Sequence, residues 1–276
     1  MNSYTSPHFP NSPAIPRHSV RSAFLVTILS MAPFLCIGSA IAQAPDSWSP
    51  FDNLPTIPKD VNPAAYPFPK IDWFERVKGN DAKAHKIADS IPLVFDGDSI
   101  TDFWRSSERG LRLWNETYEK INAFDFGIGG DRTQHLLWRL SHGQMDGIHP
   151  KLIALMIGTN NIGANTAEQI AGGIKAIVVE YQKRCPEAVI LLQAVFPRGE
   201  KAEDPNRARI KDINRIIAKL GDGQKVIYMD FGDKFLNPDG SMSKEIMPDF
   251  LHPSAKGYQI WADAIAPIIN KYVPGK

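Results

Sequence analysis

Cysteine is nearly missing from this chain: Cys36 and Cys185 are the only two in 276 residues. A disulfide-dense scaffold is therefore excluded, and the fold has to be held by an ordinary apolar core. Neither sign of charge is in surplus. The 31 Lys and Arg against 30 Asp and Glu give a formal net charge of +1, and both signs are mixed along the chain, so no basic stripe asks for a nucleic-acid partner. Internal repeats are lacking, and so are long apolar runs beyond a single one near the N-terminus, which excludes a membrane bundle. What remains is a chain long enough for one globular domain with a full core and a peripheral segment.

That single apolar run, Ala23 to Ile37, follows a polar stretch containing Arg17 and Arg21 and precedes Ser39-Ala40-Ile41-Ala42-Gln43. The pattern reads as a signal peptide over residues 1–42, cut after Ala42, and predicts a secreted or periplasmic protein. The rival is an uncleaved anchor, for which the run is short and interrupted by Pro33, so no stable membrane span is expected after cleavage. Leu35 before Cys36 is bulky where a lipoprotein cleavage site wants a small residue. Cleavage would leave Cys185 alone, without an internal disulfide, as a small residue before Pro186 at a helix end.

Residues 43–88 read as an N-terminal arm and a leading helix. From Ala44 to Pro69 several prolines alternate with Trp48, Phe51, Tyr66 and Phe68, and aromatics of that number want burial, so the stretch is expected to lie extended on the domain rather than to form a stalk. An amphipathic stretch follows from Trp73 to Ala88.

In residues 89–276, short apolar runs alternate with longer helical patterns. Leu93 to Phe95, Phe124 to Phe126, Leu152 to Ile157, Val189 to Ala194 and Val226 to Met229 read as five buried strands. Gln134 to Leu140, Thr166 to Lys183, Asn206 to Leu220 and Ala255 to Tyr272 have helical spacing, with Asn165 and Glu168 as the expected cap of the second. Strands without polar alternation imply a mainly parallel sheet covered on both faces, an α/β fold with a three-layer α/β/α sandwich.

Ligands of such sheets bind outside the carboxyl ends of the strands. Five segments fall there: Gly97-Asp98-Ser99, Gly127-Ile128-Gly129-Gly130-Asp131, Gly158-Thr159-Asn160-Asn161, Phe196-Pro197-Arg198-Gly199 and Asp249-Phe250-Leu251-His252. Acyl transfer needs a nucleophile, a base, a group that orients the base, and donors for an oxyanion. Ser99 on a tight turn supplies the first, although Gly-Asp-Ser alone also describes a routine turn. His252 is the best base because Asp249 stands three residues before it, so that a carboxylate can fix the imidazole tautomer within one loop. The amide of Ser99, a backbone N–H at Gly129-Gly130 and the Asn160 side chain are the candidate oxyanion donors. Asp98 and Asp131 are expected to brace these loops, and Arg198 to line the leaving-group side. His135, His142 and His149 read as structural.

Phe95-Asp96-Gly97-Asp98-Ser99-Ile100-Thr101, the glycine block, Gly158-Thr159-Asn160-Asn161 and Asp249-Phe250-Leu251-His252 resemble, in order, the four blocks of the SGNH/GDSL hydrolases. Phe126 to Asp131 with Leu137-Trp138-Arg139-Leu140, Thr166-Ala167-Glu168 with Gly172-Gly173-Ile174, and Pro197-Arg198-Gly199 resemble the branch that holds the catalytic subunits of intracellular platelet-activating-factor acetylhydrolase. The resemblance implies a flavodoxin-like sandwich without metal or cofactor. It implies Ser99 as nucleophile, Gly130 and Asn160 as oxyanion donors, Asp249 and His252 as the rest of the triad, and a homodimer. It points to short-chain, acetyl-type esters, as small molecules, short-acyl lipids or O-acetylated polysaccharides. Two other classes compete. Val94-Phe95-Asp96-Gly97-Asp98 also resembles the strand end of haloacid-dehalogenase-type phosphatases, with Asp96 as nucleophile, Asp98 as acid and Asp230 and Asp233 as magnesium ligands. The other is a glycan-binding domain without catalysis.

Overall fold

The computed structural model describes residues 54–275. The signal peptide, its cleavage after Ala42, Cys36, Trp48 and Phe51 lie outside the described residues. Five strands, β1 (Leu93–Gly97), β2 (Phe124–Asp125), β3 (Leu152–Met156), β4 (Val189–Gln193) and β5 (Val226–Met229), form one sheet in the order β2-β1-β3-β4-β5. Every pairing is parallel. Among the described residues seven α-helices accompany it: α1 (Phe74–Lys86), α2 (Ser99–Asp102), α3 (Leu111–Leu113), α4 (Thr133–Ser141), α5 (Ala167–Arg184), α6 (Pro205–Ile217) and α7 (Ala255–Tyr272).

The strands read as unbroken apolar runs because both faces of the sheet are covered. Val94, Ile153, Leu155, Ile190 and Leu192 point to one side, where they pack with Leu136 of α4, Ile170, Ile174 and Ile177 of α5 and Ile210 and Ile213 of α6. The alternate residues Leu93, Phe95, Leu152, Ala154, Met156 and Leu191 point to the other, against Trp104, Trp114, Tyr118 and the Tyr258, Trp261 and Ile265 of α7. The aromatic rings there meet edge-on, with Phe95 and Trp114 centroids 5.4 Å apart and Trp104 and Tyr258 centroids 4.5 Å apart, an arrangement that their quadrupoles favour. The connection between β1 and β2 that carries Trp104, Trp114 and Tyr118 runs through α2, α3 and a π-helical turn at Trp114–Tyr118. No sequence periodicity announced it.

Several boundaries differ from expectation. The cap of α5 is Thr166, whose hydroxyl accepts from Gln169 N while the Gln169 side chain answers the Thr166 N–H. Asn165 is unavailable for that role because its side chain accepts from Asn161 Nδ2 at 3.0 Å. Helix α6 starts one residue early, at Pro205 behind an Asp204 cap, and tightens into a 3-10 turn at Ala218–Leu220.

Residues 54–73 lie along α4 and α5. The carbonyl of the fully buried Ala64 accepts from Thr133 Oγ1 at 2.6 Å, Phe68 N donates to Gln134 O at 3.0 Å, and Asn62 Nδ2 donates to Gln169 O at 2.8 Å. Sheet topology then locates the site. The chain leaves β1 toward β2 on one side and returns to β3 on the other, so the carboxyl ends of β1 and β3 flank the point where the winding reverses.

Candidate active site

At the end of β1 a Cβ on Gly97 would fall 2.1 Å from Met156 O of β3. Glycine is what lets the two strands stay in register up to their last residues before the chain turns away. The turn is capped by Asp98, whose Oδ1 accepts from Ile100 N at 2.9 Å. Asp98 is fully buried, and that burial raises its pKa to about 7, against the pull of the Ile100 N–H. Ser99 follows as the first residue of α2, so its N–H is one of the helix-start donors without an intrahelical acceptor.

Ser99 Oγ stands 2.8 Å from His252 Nε2, and His252 Nδ1 stands 2.7 Å from Asp249 Oδ2. The loop that brings this about is built locally. Asp249 Oδ1 accepts from the N–H groups of Leu251 and His252 at 3.1 and 2.7 Å, and Phe250 takes a left-handed conformation with φ 58°. A non-glycine residue there is uncommon, and the turn is held by its surroundings. Partial burial works against the charged form of Asp249, yet the His252 backbone and ring hydrogen bonds prevail and hold its pKa below the ordinary value. Two residues that the sequence did not single out support His252. Arg109 Nη1 donates to the carbonyls of His252 and Pro253 at 3.1 and 3.0 Å, and the Phe103 ring lies 5.0 Å from the imidazole and 5.1 Å from the Arg109 guanidinium.

Beside Ser99 runs the glycine block: the point where a Gly129 Cβ would lie is 4.0 Å from Ser99 Cβ. Gly129 N donates to Asp102 Oδ2 at 3.0 Å, so the amide of the block left to donate is the next one, Gly130 N, which has no hydrogen-bond partner among the described residues. Gly130 adopts φ 75°. Asn160 is half-buried and gives one of its two amide hydrogens to Asp131 O at 2.9 Å, leaving the other to donate. Arg198 touches Thr159 O and Oγ1 at 3.4 and 3.3 Å. It lines, with Glu200, Asp204 and Asp249, an open cavity of about 370 Å³.

Under the loops lies a buried ionic cluster. Arg139 of α4 donates through Nη2 to Asp96 Oδ1 at 2.9 Å, through Nε to Asp131 Oδ2 at 3.0 Å, and through Nη1 to Gln144 Oε1. Burial pushes the Asp131 pKa up to about 6, with Arg139 and Lys70 restraining it. The signal for this cluster was present, an arginine inside the apolar run Leu136, Leu137, Trp138 and Leu140, but its partners are remote in sequence.

Asp96 corrects one of the competing readings. Besides Arg139 it accepts from Gly97 N at 2.8 Å, from Gln144 Nε2 at 2.5 Å and from Tyr181 Oη, with no exposed surface. All four lone-pair positions of its carboxylate are engaged below the sheet end, so it cannot attack a phosphoryl group. Asp230, proposed with it, accepts from Gly232 N as a turn residue. Among the described residues no group of three or more His, Cys, Asp or Glu is arranged to hold a metal ion. His135 accepts from Arg132 N at 3.0 Å, and burial drives its pKa down to about 3. Cys185 is buried at the end of α5, with its thiol pKa raised to about 11 by that burial.

Known proteins resemble this chain in sequence and in fold. The GDSL-like Lipase/Acylhydrolase family matches residues 95–260. Platelet-activating factor acetylhydrolase IB subunit alpha1 of Bos taurus is 37% identical over 204 residues, 72% of this chain and 85% of that protein. A GDSL-like lipase structure from Bacteroides thetaiotaomicron superposes with a TM-score of 0.58 at 20% identity, covering 72% of this chain and 98% of that one. The acetyl xylan esterase AlAXEase superposes with a TM-score of 0.54 at 24% identity, covering 64% and 98%. Since the family match begins in β1 and ends in α7, enclosing every segment of the rim, the chain belongs to the GDSL-like lipase/acylhydrolase family and is a carboxylic ester hydrolase.

Proposed function

We propose that the protein is a secreted or periplasmic serine esterase that removes short acyl groups, acetyl foremost, through Ser99, His252 and Asp249. The observation that carries this reading is the continuous relay of 2.8 Å from Ser99 Oγ to His252 Nε2 and 2.7 Å from His252 Nδ1 to Asp249 Oδ2. His252 Nε2 takes the Ser99 proton as Oγ bonds to the ester carbonyl carbon, and Asp249 holds the ring with its Nδ1 protonated. The carbonyl oxygen becomes an oxyanion, which accepts from the N–H groups of Ser99 and Gly130 and from Asn160 Nδ2. The C–O bond to the alcohol breaks as the imidazolium returns its proton to the leaving oxygen. Water, deprotonated by His252, then attacks the acyl-enzyme and releases the acid and Ser99.

The acetyl preference is supported by the name of the 37% identical relative, an acetylhydrolase. Export rests on the N-terminal sequence, with cleavage after Ala42. The test compares acetyl, butyryl and octanoyl p-nitrophenyl esters with acetylated xylan and a short-acyl phospholipid, using Ser99→Ala as the blank. Acetyl esters are expected to turn over fastest and the blank not at all. Activity of the blank would refute the serine mechanism, and faster octanoyl turnover would refute the short-acyl preference.

A further inference from the structure

Both backbone polar groups of Gly129, the N–H of one peptide unit and the C=O of the next, are held from outside the glycine block, and both holders lead to residues 70–76. Gly129 O accepts from Lys70 Nζ at 2.5 Å. Gly129 N donates to Asp102 Oδ2, whose other oxygen is ion-paired with Arg76 Nη2. Lys70 and Arg76 also flank one indole, Trp73, at 5.4 and 5.2 Å from the ring, and Trp73 Cζ2 lies 3.9 Å from the Gly129 Cβ position that borders Ser99. The Lys70 ammonium continues across Gly130, where an added Cβ would meet Nζ at 2.6 Å. Lys70, Trp73 and Arg76 all precede residue 95, where the family match begins.

We infer that Lys70 is a positioning residue of the ester site: from the arm it fixes the Gly129 carbonyl so that the next amide, Gly130 N, is aimed at the oxyanion. This inference rests on the esterase reading above. Its physical basis is that a peptide plane is rigid. Gly129 C=O and Gly130 N–H belong to the same plane, so the Lys70 bond to the carbonyl, with the preceding plane held through Gly129 N–H by Asp102, removes the rotation by which the flexible Gly129-Gly130 pair would otherwise reorient the Gly130 N–H. A charge-assisted bond to the carbonyl is stronger than a neutral one, and the cation stands over the same loop, where it adds favourable potential for developing negative charge. The groups facing Lys70 are Asp131, Asp72 and Asp98, which favour its charged form, and Arg132, which opposes it. Burial dominates them and lowers its pKa below the 10.5 of a solvated lysine. The aiming therefore weakens as pH rises through that lowered value.

The test uses the full chain with Lys70→Met, Lys70→Arg and Ser99→Ala, all assayed on p-nitrophenyl acetate with melting temperature as a folding control. Lys70→Met is expected to lower kcat roughly 10- to 100-fold with KM nearly unchanged, less than the loss of a direct oxyanion donor. Lys70→Arg should recover most of that loss and move the alkaline limb of kcat upward, because a guanidinium stays protonated. Unchanged kcat in Lys70→Met, a loss expressed in KM alone, or a loss that arginine does not rescue would overturn the inference. If Ser99→Ala is inactive in the same experiment, that failure belongs to Lys70 alone; an active Ser99→Ala would instead remove the serine mechanism itself.

Discussion

Arg139→Met tests the ionic cluster beneath the site. The substitution keeps an unbranched apolar stem in α4 and deletes the guanidinium that spans Asp96 and Asp131, each no more than 1% exposed. Two carboxylates then remain in a dry environment without their cation, while Gln144 and Tyr181 still donate to Asp96. Breaking a buried ion pair on one side costs about 3–5 kcal/mol. For a domain of this size that converts to a melting temperature lower by about 6–20 °C. The pH dependence has a definite sign. Asp131 already has a folded pKa near 6, above its ordinary 3.8, and removing the arginine that restrains it raises that value further. A carboxyl group with a raised folded pKa contributes stability below its unfolded pKa and loses it as pH rises through the folded value. The deficit of Arg139→Met should therefore be largest above pH 7 and shrink as pH falls toward 5. Urea unfolding followed by the fluorescence of the buried Trp104, Trp114 and Trp261 at pH 5 and pH 8 measures it. A loss under about 1 kcal/mol at pH 8, or a deficit that grows on acidification, would refute the reasoning.

Asn160→Ala should reduce kcat about 100-fold or more as one oxyanion donor is lost, while the melting temperature shifts little because the other lost bond is a single one to Asp131 O; steady-state kinetics with a thermal scan separates the two. Asp249→Asn should lower kcat by roughly 10³- to 10⁴-fold through the wrong imidazole tautomer, with the loop retained, which steady-state assays and a crystal structure of the variant would check. Gly173→Ala would drive a Cβ to 2.4 Å from Ala64 O and 2.6 Å from Thr133 Oγ1. It should lift the arm from α5, giving faster proteolysis near residue 64 and a drop in kcat that follows from losing Lys70 at Gly129.

Legibility varied with the range of the interactions involved. The strands were readable because an all-parallel sheet buries both faces, so Leu152 to Met156 and Val189 to Gln193 carry no polar residue until their ends. The Asp249 and His252 pair was readable because its geometry is made within four residues. The sequence favours Asn165 over Thr166 as the cap of α5, since nothing local reveals that Asn161 takes that side chain. Lys70 and Arg109 are silent in the sequence for the same reason: a cation in a loop carries no periodic signature, and their acceptors lie 59 and 143 residues away.

By itself the sequence determined the α/β class, the five strand ends that carry chemistry, and the residue types available for acyl transfer, because each of these follows from local hydrophobic pattern and short-range turn chemistry. The tertiary structure decided which of those residues meet. The reversal of winding between β1 and β3 brings Ser99 beside the glycine block, the return of the chain before α7 sets His252 against Ser99 across 153 residues, and burial assigns Asp96 to an arginine rather than to a substrate. These are long-range packing outcomes. They depend on how helices and strands share one core, which no window of sequence contains.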